Sequence, residues 1–182
     1  LPDVAGNITP NASSRIYDDK GRLITTVHAE ENRIPVPISQ VPQNLQNAFV
    51  AAEDVRFYEH HGVDPRGILR AVFANLTSGN ATGQGGSTIT QQLARNAFLT
   101  QEQTLKRKLL EVVLAFEIES KYTKKQILEM YMNQIYFGQG CYGIQTAAHV
   151  YFGKDVKDLS LSQCAMLAGL PNSPNYYSPF RS

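Results

Sequence analysis

Three short patterns set the fold class. Thr88 with Gln91, Thr123 with Gln126 and Ser160 with Gln163 each place a hydroxyl residue three positions ahead of a glutamine at the start of a helical run. In this pattern the hydroxyl and the amide each satisfy a backbone group that has no partner inside the first helical turn. Behind the second pattern come Ile127, Leu128, Met130 and Tyr131, and behind the third Leu161, Ala165, Met166 and Leu167, all at helical spacing. A chain that opens three helices this explicitly is committed to a mainly α body. Leu45, Phe49 and Ala52 predict another helix from Pro42 onward. Asp64-Pro65 begins a further one, with the aspartate as N-cap, the proline in the first turn, and Ile68, Leu69, Val72, Phe73 and Leu76 as its apolar stripe.

About seven helices are expected in all, preceded by a short β hairpin. Ile16 and Tyr17 lead into the turn signal Asp18-Asp19-Lys20-Gly21, and Leu23, Thr25 and Val27 alternate after it. Residues 1–40 are read as an N-terminal linker with this hairpin, and residues 41–182 as one helical domain. The stretch from Gly79 to Gly86 breaks the helical pattern and is expected to be the most flexible internal segment.

Composition enters through what it excludes. Seventeen basic residues against 16 acidic ones give a net charge of +1. A binder of nucleic acid or another extended polyanion needs a dominant basic field, so any cationic function here must be local. Cys141 and Cys164 have no CxxC partner pattern, which removes a disulfide scaffold and a structural zinc site. No unbroken apolar run exceeds five residues, as in Val112 to Phe116, against the roughly 18 to 20 that a spanning helix needs. The chain opens on Leu1 without a leader pattern and is read as a processed piece.

Three segments carry chemistry. In RKLLEVVLAFEIE, apolar on most faces and expected to be largely enclosed, Glu111 is a carboxylate in mid-run, one turn from Arg107 and beside Lys108 on the helical wheel. Burying it alone is expensive, so it is either an internal ion pair or a functional group. In AAEDVRFYEHHG, Glu53, Asp54, Glu59, His60 and His61 crowd a helix C-terminus, where negative charge is unfavourable. A solvated helix end is the plain alternative, and the spacing gives only a weak metal signal. The Gly-rich stretch then feeds a helix start at Ser87, Thr88 and Thr90, with Arg95 and Asn96 two turns on. Free amides at such a start can seat an anion, though the pattern is not that of a nucleotide-binding loop and, taken alone, a flexible loop with an ordinary N-cap is the better explanation. Separated carboxylates, local cations and an anion-friendly helix start together make up the set that sugar transfer from a phosphate-linked donor requires.

In combination these segments resemble the peptidoglycan glycosyltransferase domain of class A penicillin-binding proteins. The family pattern EDxxFxxHxG is matched by Glu53, Asp54, Phe57, His60 and Gly62, and GGSTxTQQ by Gly85 to Gln92. RKxxE is Arg107, Lys108 and Glu111, ILExYxN is Ile127, Leu128, Glu129, Tyr131 and Asn133, and a fifth motif runs from Gly143 to Lys154. The resemblance implies a lysozyme-like helical fold with a large lobe and a smaller jaw lobe. It implies an inverting enzyme that polymerises lipid II into β-1,4-linked glycan and releases undecaprenyl pyrophosphate.

Carried over by motif position, Glu53 is the general base and Glu111 the second catalytic carboxylate, on the donor side. Asp54, Phe57, His60, Ser87, Thr88, Gln92, Arg95, Asn96, Arg107, Lys108 and Lys154 are the implied substrate-binding residues. Arg95 stands where many members have lysine, which favours bidentate phosphate contact. Gln91, Tyr131, Asn133 and Gly153 are read as structural, as is Glu129. A divalent cation, magnesium or manganese, is an option on the donor side, and no organic cofactor is implied. The expected partners are lipid II, the growing glycan strand, a membrane surface and a C-terminal transpeptidase domain in the parent chain, with no nucleic acid. The expected location is the extracytoplasmic face of the bacterial cytoplasmic membrane, with the anchor upstream. A lysozyme-like hydrolase and a non-catalytic glycan-binding module are the competing readings. The cations at 95, 107 and 108 speak against the hydrolase, because a neutral sugar leaving group needs an acid rather than cations.

Overall fold

In the computed structural model, residues 33–78, 86–99, 104–174 and 176–180 are described, together with the backbone of two strands. The strands, β1 (Ser14–Tyr17) and β2 (Leu23–Val27), pair antiparallel from Ser14 opposite Val27, with an irregularity between Ile16 and Tyr17. The predicted linker before Ser14, the turn at 18–21 and the Gly-rich stretch 79–85 lie outside the described residues.

Seven α-helices follow among the described residues: α1 (Gln43–Glu53), α2 (Pro65–Ser78), α3 (Ile89–Phe98), α4 (Leu105–Lys121), α5 (Lys124–Gln134), α6 (Ile144–Phe152) and α7 (Leu161–Gly169). The fold is mainly α, as the pattern of caps dictates. All three predicted capping boxes form, at the starts of α3, α5 and α7, with the hydroxyl of Thr88, Thr123 or Ser160 accepting from the glutamine N–H three residues on. Helix α4 has a simpler cap, the Thr104 hydroxyl accepting from the Arg107 N–H.

One core unites the helices. Leu45 and Phe49 of α1, Leu93 of α3, Leu114 and Ile118 of α4, Ile127, Tyr131 and Met132 of α5, Ile144 of α6 and Leu167 of α7 are fully buried together. Phe49 sits at its centre and meets Tyr131 and Phe137 edge-on, each with ring centroids 6.1 Å apart. Edge-to-face pairs of this kind add about 0.5–1.5 kcal/mol each beyond the area they bury.

Residues 33–38 run in extended form along this body. The Asn133 side chain accepts from the Val36 N–H at 3.0 Å and donates to the Val36 carbonyl at 2.8 Å, as a neighbouring strand would. Glu129, one turn earlier on α5, accepts from the Ile38 N–H at 2.6 Å, and Thr146 of α6 accepts from the Ile34 N–H. Two residues of the fourth motif thus serve as a rail for the incoming chain.

Two helices depart from their expected packing. Helix α4 is not enclosed: it buries Glu111, Leu114, Ala115 and Ile118 and exposes Leu105, Leu109, Val113 and Phe116. The stripe of α2 likewise faces outward, with Leu69, Phe73 and Leu76 all more than 70% exposed. Spacing identifies an apolar face but not what that face meets. Among the described residues, no helix is long and apolar enough to cross a membrane.

Candidate active site

The C-terminus of α1 and the N-terminus of α3 meet at one point, and Asp54 joins them. Its carboxylate accepts from the Ile89 N–H at 3.0 Å, an amide of the first turn of α3, and from His60 Nε2 at 2.9 Å. A charge badly placed at the end of α1 is therefore well placed at the start of α3, where the helix dipole favours it. His60 Nε2 lies within reach of both Asp54 oxygens, at 3.0 and 2.9 Å. Thr88 completes the joint by donating to the Gly62 carbonyl at 2.6 Å. Gly62, at φ +92°, lies so close to α4 that a Cβ there would come within 3.0 Å of the Ala115 backbone.

Beside this joint lies a cavity of about 720 Å³. Glu53, Asp54 and Val55 form one wall, Asp64, Gly67 and Arg70 of the α2 segment face it, and Gly86, Ser87, Thr88, Gln92 and Arg95 close it with Pro171 and Asn172. Glu53 is half-buried, and its Oε2 accepts from Gln92 Nε2 at 2.8 Å. Burial pushes its carboxyl above the usual glutamate range and the neighbouring Asp54 adds to this, while the Gln92 bond and the Arg95 charge hold it down only in part. A carboxylate raised in this way is a stronger base than a solvated one and remains able to release its proton. A second cavity of about 340 Å³ shares Gln92, Arg95 and Pro171 with the first and continues past Asn96, Gln134, Tyr136 and Tyr142.

Glu111 differs from Glu53 in every respect. It is fully buried, with Lys108 Nζ 2.8 Å from Oε2. Arg107 Nε stands 3.3 Å from Oε1, an ion pair without hydrogen-bond alignment. Lys108 also donates to the Ser87 hydroxyl at 2.7 Å, so it links Glu111 to the cavity rim.

The structure gathers Glu53, Asp54, Ser87, Thr88, Gln92 and Arg95 on the first cavity and Asn96 on the second. Phe57 and His60 are buried behind the wall, and Arg107, Lys108 and Glu111 stand one layer back on α4. Lys154 is exposed on the turn after α6 and lines neither cavity. The α2 wall was not foreseen. Asp64 there accepts from Arg56 and from the Gly67 amide; burial alone would raise its carboxyl, but these donors hold it below the usual range. Gly67 has no room for a side chain, because a Cβ would fall 2.5 Å from Asp64 Oδ2. The only sequence signal for this wall was that Gly67 and Arg70, three apart, share a helix face.

Among the described residues, no three His, Cys, Asp or Glu side chains come together to hold a metal ion. Asp54, Asp64 and Glu111 are paired with His60, Arg56 and Lys108.

Residues 20–182 match the family model described as Transglycosylase. The chain is 52% identical, over all of its length, to penicillin-binding protein 1A of Escherichia coli (strain K12), of which it covers 21%. It is 50% identical over 93% of its length to penicillin-binding protein 1F of Bacillus subtilis (strain 168), covering 23% of that protein. The crystal structure of penicillin-binding protein 1A from Haemophilus influenzae aligns over 95% of this chain and 16% of its own, at 26% identity and a TM-score of 0.45. The chain thus spans roughly a fifth to a quarter of the curated relatives it matches. With the family model covering nearly the whole chain, the chain belongs to the transglycosylase family.

Proposed function

We propose that this chain polymerises lipid II into β-1,4-linked glycan by an inverting glycosyl transfer, with Glu53 as general base. The observation that carries this reading is Glu53 itself: a half-buried carboxylate, raised above its ordinary range, facing a large cavity that also holds Arg70 and Arg95. Glu53 takes the proton of the acceptor 4-hydroxyl as that oxygen bonds to the anomeric carbon of the donor. The bond from that carbon to the pyrophosphate breaks, and the electron pair leaves on the phosphate oxygen. Arg95 meets the charge developing on the departing group, with Lys108 behind Ser87 as a second cation. In this scheme Glu111 acts through Lys108, holding its ammonium at the Ser87 rim, and touches no substrate itself. A departing pyrophosphate is stabilised by cations and needs no dedicated acid.

The outward apolar faces of α2 and α4 support a membrane-surface partner, since a substrate with a polyprenyl tail must be met at the bilayer. The length of the relatives supports a longer parent chain, which in this reading carries a transpeptidase domain and an anchor that holds this domain on the extracytoplasmic face. Glu53→Gln is expected to keep the fold and abolish polymerisation of purified lipid II. Wild-type polymerisation by that variant would overturn the base assignment, and soluble fragments released from purified glycan without lipid II would replace the transferase reading with a hydrolase.

A further inference from the structure

We propose that Tyr131 is a positioning residue for this reaction: from inside the helical body, its hydroxyl holds the Gln92 amide in the one orientation that donates to Glu53. The proposal rests on the reading of Glu53 as the base. Tyr131 is fully buried, its ring set edge-on against Phe49. Its hydroxyl donates to Gln92 Oε1 at 3.3 Å, and Gln92 Nε2 donates to Glu53 Oε2 at 2.8 Å. The three side chains come from α5, α3 and the end of α1 and form one line from the core to the cavity.

A carboxamide has one accepting end and one donating end. Turned by half a rotation, Gln92 would set its oxygen against a Glu53 oxygen, a repulsive contact at the point where the base must be held. The Glu53 carboxylate selects the productive orientation and the Tyr131 hydroxyl reinforces it by donating to Oε1, whereas an apolar ring edge removes that donor from a half-buried oxygen. Burial and the negative charges of Glu53 and Asp54 keep the phenol well above its ordinary range, with Arg95 opposing, so it remains an O–H donor. The fourth motif is thereby divided on one helix: Glu129 and Asn133 hold the incoming chain, and Tyr131, between them in sequence, braces the base.

The charged groups that set Glu53 besides this line are Arg95 and the adjacent Asp54, with Asp64 and Arg70 on the cavity wall. None of them is changed by Tyr131→Phe, which keeps the ring and its packing. The variant is expected to lower kcat about 3- to 10-fold with KM unchanged, the size of effect one hydrogen bond supports. It is also expected to move the acidic limb of the rate profile to higher pH. A carbon-13 titration of the Glu53 carboxyl without substrate should shift in the same direction. In a Gln92→Ala background, Tyr131→Phe should add nothing to either shift. An unmoved Glu53 titration in Tyr131→Phe, or a full shift that persists in the Gln92→Ala background, overturns the proposal.

The titration needs no turnover, so it decides the matter even where wild-type chain fails to polymerise lipid II, an outcome that would remove the transferase reading alone. Should Tyr131→Phe not fold, Tyr131→3-fluorotyrosine keeps the packing and strengthens the donor. It should move the Glu53 titration to lower pH, and an unmoved titration overturns the proposal there as well.

Discussion

Glu53 and Glu111 are the same residue at two ends of one functional region, and their surroundings make them opposites. Glu53 closes α1 and faces the large cavity, and burial keeps its carboxyl raised despite the Gln92 bond. Glu111 lies in the first half of α4, is fully buried and is clamped by Lys108 and Arg107 from its own helix. One carboxylate is accessible and only partly compensated, as a base must be. The other lies between two cations of its own helix, with Lys108 in hydrogen-bond contact and Arg107 in an ion pair, and in the proposed scheme it holds Lys108 in place. Burial alone therefore does not mark a catalytic carboxylate; what matters is burial in excess of compensation, on a surface that a substrate reaches.

The contrast is most sharply broken at Glu53. Glu53→Gln should reduce lipid II polymerisation by about 10²- to 10⁴-fold, the range of general-base catalysis, measured as glycan formed per unit time. Its effect on stability should have the opposite sign to that of Glu111→Gln. A carboxyl raised above its ordinary value of 4.5 favours the fold while protonated, below the unfolded pKa, and that contribution is lost as pH rises through the folded pKa. At neutral pH an ionised Glu53 thus costs stability, so the unfolding midpoint of Glu53→Gln should equal or exceed that of the wild type. The difference should vanish in acid.

Glu111→Gln should lower the unfolding free energy by about 2 kcal/mol, less than for a wholly buried pair because Lys108 is half-exposed. Its activity should fall by about tenfold, as Lys108 loses its anchor at Ser87. Asp54→Asn, which weakens the acceptor for the Ile89 N–H and His60, should also lower the unfolding free energy, by about 1–2 kcal/mol in chemical denaturation. In the wild type, the raised Glu53 carboxyl should place the acidic limb of the rate profile above the ordinary carboxylate range, a limb at the ordinary value removing the contrast with a solvated acid. Lys154→Ala should change the rate by less than about twofold, since the side chain is exposed and lines neither cavity; a larger loss would extend the substrate path to the turn after α6.

Much of this was legible in the chain because it depends on local chemistry. The capping boxes at Thr88, Thr123 and Ser160 form because hydroxyl, glutamine and backbone lie within one turn of each other, whatever surrounds them. The pairing of Glu111 with Arg107 and Lys108 was likewise one of the two outcomes their spacing allowed. The packing of α2 and α4 was not legible. Leu69, Phe73, Leu109 and Phe116 read like core residues and are exposed, because periodicity reports that a helix has an apolar face without reporting what covers it. Nor could spacing show that Asp64, Gly67 and Arg70 form the far wall of the cavity, since that wall depends on where α2 lies relative to α3.

By itself the sequence determined the helical class, the starts of three helices and the motifs that identify the family, all of which rest on residues close together along the chain. The tertiary structure decided which carboxylate faces the cavity and which is buried against cations of its own helix, the difference on which the proposed roles of base and brace rest. It set the end of α1 against the start of α3, so that Asp54 is stabilised by an amide 35 residues away and Glu53 meets the Gln92 amide at the cavity. Electrostatic roles follow from distance and burial in space, and residues 35 positions apart acquire both only when the chain is folded.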